Sequence, residues 1–428
     1  MKILWLVNII MPELAERLGR KPSVFGGWLS GAMDAVLTGN HALVICAMDQ
    51  KYKQIGRYTV KGNTYYLVEQ ADVDTMAASF HAILDREQPD VVHVFGTEYA
   101  QSLAMVRAAD KNRLLVTIQG CLNVLYPLTY AGIPNRICKD NIVHRYLRKK
   151  HRGGESIDLQ RISFIERAKL EQKAVIQAKY IHGGSQWGNS IAKQINPDCT
   201  TFDCGLILRD SFYTNLRWSF DTCEKYSITA IFTYPIKGFH MLLRAMPKIL
   251  RRFPKTKLHA VGQKLIARHY NGIKKMAMNL APDYNWYVQQ LLDKYGLWEH
   301  VVFDGYLDAL QMRERQLKSN VFVVPSIMEN QCTALGEALM LGVPCVATKA
   351  GAMPEYVIDG KSALLYDFTD IDKLANHICS IFANQELAED LSRNAPLLPQ
   401  KLYCREENGR KLLEIYHTID NNAKEARS

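Results

Sequence analysis

The sequence predicts an α/β protein built from two consecutive doubly wound units, and three observations carry that prediction. At 428 residues the chain exceeds one ordinary core, since domains of about 100–200 residues are the rule. Short β-branched runs alternate with amphipathic stretches, the pattern of parallel strands joined by helical crossovers. That alternation is interrupted by a long polar, basic segment and restarts after Arg209.

In the first half the alternation runs through Ile3–Val7, Trp28–Leu37, Leu43–Met48, Met76–Asp85, Val91–Phe95 and Leu114–Ile118. Tyr130–Ser156 interrupts it, Phe164–Ala178 resumes as a helix, and Tyr180–Gly183 reads as another strand. In the second half Tyr226–Phe232, Lys257–Val261, Val301–Phe303, Val321–Val324 and Cys345–Ala347 read as strands. Phe239–Leu250, Leu335–Leu341 and Ile371–Phe382 read as the helices between and after them. The expected units are residues 1–210 and 211–400. Residues 401–428 form a final helix with an apolar stripe at Leu412, Leu413 and Tyr416, expected to pack across both units.

Nearly half the residues are apolar, as in a folded protein. The formal net charge of +10 points to anionic partners such as phosphates or acidic lipid. Ten cysteines without a C-x-x-C pair carry no zinc or redox motif and are expected as free thiols in a reducing cytoplasm. The apolar N-terminal run is short, carries Asn8 and ends at Pro12, so it reads as a buried strand, not as a signal peptide. No stretch approaches the ~20 apolar residues that span a bilayer.

The most informative segment runs from Val321 to Thr348. A buried strand ends at Val324, a loop carries Glu329, and Thr333 is expected to cap a helix holding Glu337. Free amides at that helix start suit a diphosphate. Two carboxylates beside them suit hydroxyl-rich partners, because a carboxylate only accepts hydrogen bonds. Taken alone, such a pair is more often a solvated loop charge and an outer-face helix charge.

With its Pro325-Ser326, Gly336-Glu337-Ala338 and Gly342-Val343-Pro344 elements, the segment strongly resembles the E-x7-E motif of family-4 retaining glycosyltransferases of the GT-B fold. That fold sets two Rossmann-like domains across a cleft. The resemblance implies that Glu329 and the amides of Cys332, Thr333, Ala334 and Leu335 contact the donor sugar, while Glu337 binds the ribose. Gly26-Gly27 resembles the family's N-terminal glycine loop at the donor phosphates. Ile236-Lys237-Gly238 resembles its Lys-Gly, where Lys237 neutralises the diphosphate. Asn196-Pro197, the stretch Leu208 to Tyr213 and the stretch Gly351 to Leu365 match further landmarks of bacterial surface-polysaccharide members.

Three positions depart from the family pattern. Phe232 stands where an arginine is frequent, leaving Lys264 or Arg268 as helpers of Lys237. Thr117-Ile118-Gln119-Gly120 replaces Thr-x-His-Gly, so Gln119 is a candidate sugar or acceptor contact without acid–base capacity. Gly183-Gly184-Ser185 replaces Gly-Arg-Thr. Asp72-Val73-Asp74 and Asp370-Ile371-Asp372 precede helical stretches and read as caps, not as metal sites. His93 and His182 read as satisfied core histidines.

The resemblance implies retaining, metal-independent transfer from a nucleotide-sugar donor to a glycan or lipid-linked acceptor. Glu329 and Lys237 carry the chemistry, with no cofactor and no nucleic-acid partner. Rival readings are a nucleotide-sugar epimerase or hydrolase on the same fold, and a non-catalytic binding protein. Within Asn141–Arg152 the residues Ile142, Val143, Tyr146 and Leu147 share one helical face. Arg145, Arg148, Lys149, Lys150 and Arg152 then suit an anionic membrane surface, which places the protein in the cytoplasm at the inner face of the membrane.

Overall fold

The β-branched runs form strands buried on both faces, as parallel sheets covered by helices require. The computed structural model describes residues 1–23, 26–49, 55–138, 157–265 and 283–426. Among them the chain divides into two compact units. One comprises residues 1–123, 166–210 and 401–428, and the other residues 124–165 and 211–400.

The first unit carries β1 (Lys2–Val7), β2 (Ala42–Met48), β3 (Gly56–Val60), β4 (Asn63–Val68), β5 (Val91–Phe95), β6 (Leu114–Thr117), β7 (Tyr180–His182) and β8 (Thr200–Phe202). They lie in the order β3-β4-β2-β1-β5-β6-β7-β8, parallel except for the antiparallel β3–β4 hairpin. Lys61 and Gly62 turn that hairpin, both at positive φ, the conformation that tight hairpin turns favour. The helix Arg405–Glu425 belongs to this unit, with Leu412, Ile415, Tyr416 and Ile419 buried. Its Tyr416 hydroxyl joins Trp5 Nε1 at 3.0 Å and His93 Nδ1 at 2.7 Å.

The second unit carries β9 (Glu224–Phe232), β10 (Lys257–Gly262), β11 (Val301–Gly305), β12 (Ser319–Val324), β13 (Cys345–Thr348) and β14 (Leu364–Tyr366). All pair in parallel, in the order β11-β10-β9-β12-β13-β14. The chain runs outward from β9 to β11 and returns to start again at β12, so the direction of winding reverses between β9 and β12. Doubly wound sheets bind ligands outside the carboxyl ends of the strands at such a point. In the first sheet the same reversal falls between β1 and β5.

His93 bonds Tyr416 and, through Nε2, the Thr117 hydroxyl at 2.7 Å. His182 bonds Thr117 at 3.2 Å and the Cys204 carbonyl at 2.6 Å, so both rings are satisfied in the core. Asp72 accepts from the amides of Asp74 and Thr75, and Asp370 from that of Lys373, each capping the helix that follows. All ten cysteines are free thiols, and every one but Cys404 is buried. No helix among the described residues is long and apolar enough to cross a membrane.

Candidate functional site

In the second unit β9 ends at Phe232, and a short turn, Pro235–Lys237, brings the chain into the helix Phe239–Arg252. Gly238 makes that turn at φ +67°, and a Cβ there would stand 1.8 Å from the Pro325 carbonyl oxygen. The close approach lets the Ile327 amide donate to the Ile236 carbonyl at 2.8 Å, tying the loop after β9 to the loop after β12.

Across that seam Lys237 Nζ donates to Glu329 Oε1 at 2.6 Å, and Ser326 Oγ donates to the same oxygen at 2.6 Å. Glu329 is 7 % exposed, so it is not a solvated loop charge. Burial opposes the charge on Lys237, but the Glu329 carboxylate with its hydrogen bond, together with Tyr234 and Cys332, outweighs burial and raises the lysine pKa. A third loop closes from β13: the Ala352 amide donates to the Glu329 carbonyl at 3.0 Å. Gly351, at φ +58°, permits this, since a Cβ there would fall 2.1 Å from the same carbonyl oxygen.

The helix that follows is Thr333–Met340 and its N-cap is Cys332, which makes no side-chain capping bond. The expected Thr333 cap is therefore corrected by one position, with Thr333 as the first helical residue. Thr333 and Ala334 have no carbonyl one turn back inside the helix, whereas the Leu335 amide is taken by Cys332 O at 3.1 Å. Burial, then the charge of Glu329, pushes the Cys332 thiol up to about 12. Glu337 is 2 % exposed, which removes the outer-face reading of its charge. Lys237, Ser326, Glu329, Cys332 and Ala334 line one small cavity with Ile231 and the end of β12.

Phe232, which stands where the resembled family often carries an arginine, is fully buried among Phe239, Tyr284 and Phe303, with ring centroids 4.8–6.1 Å away. Lys264 is exposed, and Arg268 lies outside the described residues. So do Arg145, Arg148, Lys149, Lys150 and Arg152.

Gly26 and Gly27 belong to the first unit, at the start of the helix Trp28–Thr38. A Cβ on Gly26 would meet Ile9 at 2.6 Å, and one on Gly27 would meet the Arg209 stem at 2.7 Å. Arg209 thus covers the glycine loop, a neighbour that the sequence landmark at residues 208–213 contained without revealing. Gln119 stands just past the end of β6 and accepts from Asn8 Nδ2 at 3.4 Å. Ser326 was missed as the second anchor of Glu329, although the Pro-Ser element held the signal.

Residues 225–397 match the family model described as Glycosyl transferases group 1. Among curated relatives, a GDP-mannose-dependent alpha-(1-6)-phosphatidylinositol monomannoside mannosyltransferase of Mycolicibacterium smegmatis is 31% identical over 161 residues, 36% of this chain and 37% of the relative. The spore coat protein SA of Bacillus subtilis is 23% identical over 184 residues, 42% of this chain and 45% of that protein. The chain thus spans less than half the length of these relatives. Among solved structures, sucrose-phosphate synthase from Thermosynechococcus elongatus superposes with TM-score 0.69 at 16% identity, covering 98% of this chain and 99% of that one. Anabaena HepE in complex with UDP-glucose gives TM-score 0.64 at 15% identity, covering 97% and 99%. Residues 225–397 are therefore a glycosyl transferases group 1 domain, set in a chain that has the GT-B fold of two Rossmann-like units.

Proposed function

We propose that the protein is a retaining, metal-independent glycosyltransferase that moves a sugar from a nucleotide-sugar donor to a glycan or lipid-linked acceptor. The observation that carries this is the pairing of half-buried Lys237 with the buried Glu329 carboxylate at the point where the second sheet reverses its winding, next to a helix N-terminus. The UDP-glucose held by the Anabaena neighbour and the GDP-mannose named for the mycobacterial relative support a nucleotide-sugar donor.

On this reading the donor C1–O bond breaks and negative charge grows on the leaving diphosphate. Lys237 keeps two further N–H donors beyond the one given to Glu329, and with the amides of Cys332, Thr333 and Ala334 they stabilise that charge electrostatically. The acceptor hydroxyl enters on the face the diphosphate leaves, and its proton passes to the departing phosphate. Glu329 Oε1 is occupied by Lys237 and Ser326, which turns Oε2 to the sugar hydroxyls. Glu337 takes the ribose diol, and the assignment of Gly26 and Gly27 to donor phosphates rests on the sequence resemblance alone. Peripheral attachment at the cytoplasmic membrane face through Arg145, Arg148, Lys149, Lys150 and Arg152 is proposed on the sequence pattern alone. Salt-sensitive co-sedimentation with anionic liposomes decides it, and protein that stays soluble at low salt removes it.

A thermal-shift screen of UDP-, GDP-, ADP- and CMP-sugars tests the donor assignment, because a ligand of the native state raises its apparent stability. Glu337→Ala is expected to weaken sugar nucleotide and free nucleotide alike. Glu329→Ala weakens the sugar nucleotide only. A charge-assisted hydrogen bond contributes about 1.5–3 kcal/mol, so each loss is about tenfold or more. Turnover is expected to survive excess chelator and to collapse in Lys237→Ala. Binding of no nucleotide, or activity that returns only with Mn²⁺ or Mg²⁺, would overturn the reading. Donor turnover with no acceptor present favours the epimerase or hydrolase instead.

A further inference from the structure

The first sheet has its own reversal of winding, between β1 and β5, and polar side chains converge there. Gly96 follows β5 at φ +93°. A Cβ on it would meet Asn8 Nδ2 at 2.4 Å, Glu98 Oε2 at 2.9 Å and Gln119 Oε1 at 3.0 Å. These three groups come from the chain after β1, β5 and β6 and meet over one bare Cα. Asn8 and Gln119 are half-buried, whereas Glu98 is 7 % exposed, so the group is open at the amides and closed at the carboxylate.

Gln101 supplies a second, independent observation. It is 6 % exposed and its Nε2 donates to Asn8 Oδ1 at 3.4 Å, which aims its amide into the cluster. Its Oε1 is buried and has no hydrogen-bond partner among the described residues. A buried carbonyl oxygen left without a donor is costly, about 1–3 kcal/mol, and a ligand hydroxyl reaching the cluster relieves that cost.

Beneath this group lies a second carboxyl. Thr97 donates its amide to Glu98 Oε2 at 2.8 Å and its hydroxyl to Glu171 Oε2 at 2.9 Å. Asn123 donates to Glu171 Oε1 through its amide at 3.2 Å and its side chain at 3.1 Å. The Arg167 guanidinium bonds the Glu98 carbonyl at 3.1 Å and stacks on Tyr99 at 4.3 Å. Burial, then the Glu98 charge, pushes Glu171 up to about 7. Burial raises Glu98 as well, opposed by the amides that bond its carboxylate and by the Arg167 guanidinium.

We propose that Asn8, Glu98 and Gln119 form a subsite for an uncharged, hydroxyl-rich sugar, with Glu98 as the residue that rejects anionic ones. One sugar hydroxyl donates to Glu98 and another to Gln101 Oε1, and their oxygens accept from the amides of Asn8 and Gln119. A carboxylate or phosphate on the sugar offers Glu98 no proton and places like charges together, which costs affinity. The proposal deepens the glycosyl-transfer reading and rests on it only for the part this sugar plays in a reaction.

The test is saturation-transfer NMR titration of the full chain with methyl α-glucoside, methyl α-mannoside, methyl α-galactoside and methyl α-glucuronide. UDP and GDP are titrated in the same samples. At least one neutral glycoside is expected to bind at least tenfold tighter than the glucuronide. Glu98→Gln, which keeps the shape and removes the charge, is expected to bring that ratio below threefold. Gln119→Ala, at a half-buried position, is expected to weaken the neutral glycoside while nucleotide affinity stays as in the wild type. The proposal is overturned if no neutral glycoside binds, if the glucuronide binds as well, or if both variants keep the wild-type preference. Glycoside binding with this pattern but without nucleotide binding would sustain the subsite and count against the donor site alone.

Discussion

Glu329 Oε1 receives two hydrogen bonds from side chains that lie ninety-two and three residues away, so its position is set by folding as well as by local sequence. The E-x7-E spacing made Glu329 and Glu337 visible as candidates, because it depends on a short loop and one helical turn. Their depth was not visible, since no pattern of neighbours says whether a loop carboxylate is solvated. The Glu98–Thr97–Glu171 arrangement left no trace in the sequence, because its members come from two elements that only the sheet brings together. Glu171 also makes a pH prediction. Its pKa rises from the usual 4.5 to about 7 in the fold, chiefly through burial. Its contribution to stability is therefore whole below about pH 4.5 and is lost as pH rises through about 7. The buried neutral imidazoles of His93, His182 and His240, all shifted down by burial, act with the opposite sign, so the difference from a variant is the clean readout. Glu171→Gln should be relatively stabilised as pH rises from 5 to 8, on the order of 3 kcal/mol in total. Urea midpoints across that range check it, and parallel curves for the two proteins would reject it.

At the scale of elements, strands buried on both faces were legible as unbroken apolar runs, as at Val321–Val324. The edge strand β3 was not, because Arg57, Tyr58 and Thr59 are partly or fully exposed and present no such run. The one-residue error at the helix Thr333–Met340 has a clear source. Threonine is a preferred cap, yet here the chain already turns at Cys332, whose side chain caps nothing. The turn between β9 and its helix carries the second prediction. Gly238→Ala combines a left-handed backbone with a clash against the Pro325 carbonyl and should destabilise by about 2 kcal/mol or more. Gly360→Ala is the control: its φ is +77° but nothing lies within 4 Å of the added Cβ, so only about 1 kcal/mol of backbone strain remains. Nucleotide binding should fall in the first variant and persist in the second, and equal urea midpoints would show that the approach to Pro325 is unimportant.

At the scale of the molecule, alternation along the chain revealed two sheets but not that residues 124–165 belong with the second unit. That assignment rests on non-local bonds, such as His240 Nε2 to the Ala131 carbonyl at 3.0 Å and Arg244 to the Gly132 carbonyl. The thiols inherit the same division. Cys46, Cys121, Cys199 and Cys204 are buried in one unit, and Cys138, Cys223, Cys332, Cys345 and Cys379 in the other. Burial raises the pKa of all nine, and a thiol held protonated in a closed core is a poor nucleophile. The protein therefore carries two internal clocks. A maleimide pulse at neutral pH should label Cys404 at once, and mass-resolved uptake at the other nine should then time the opening of each unit separately, with no engineered probe.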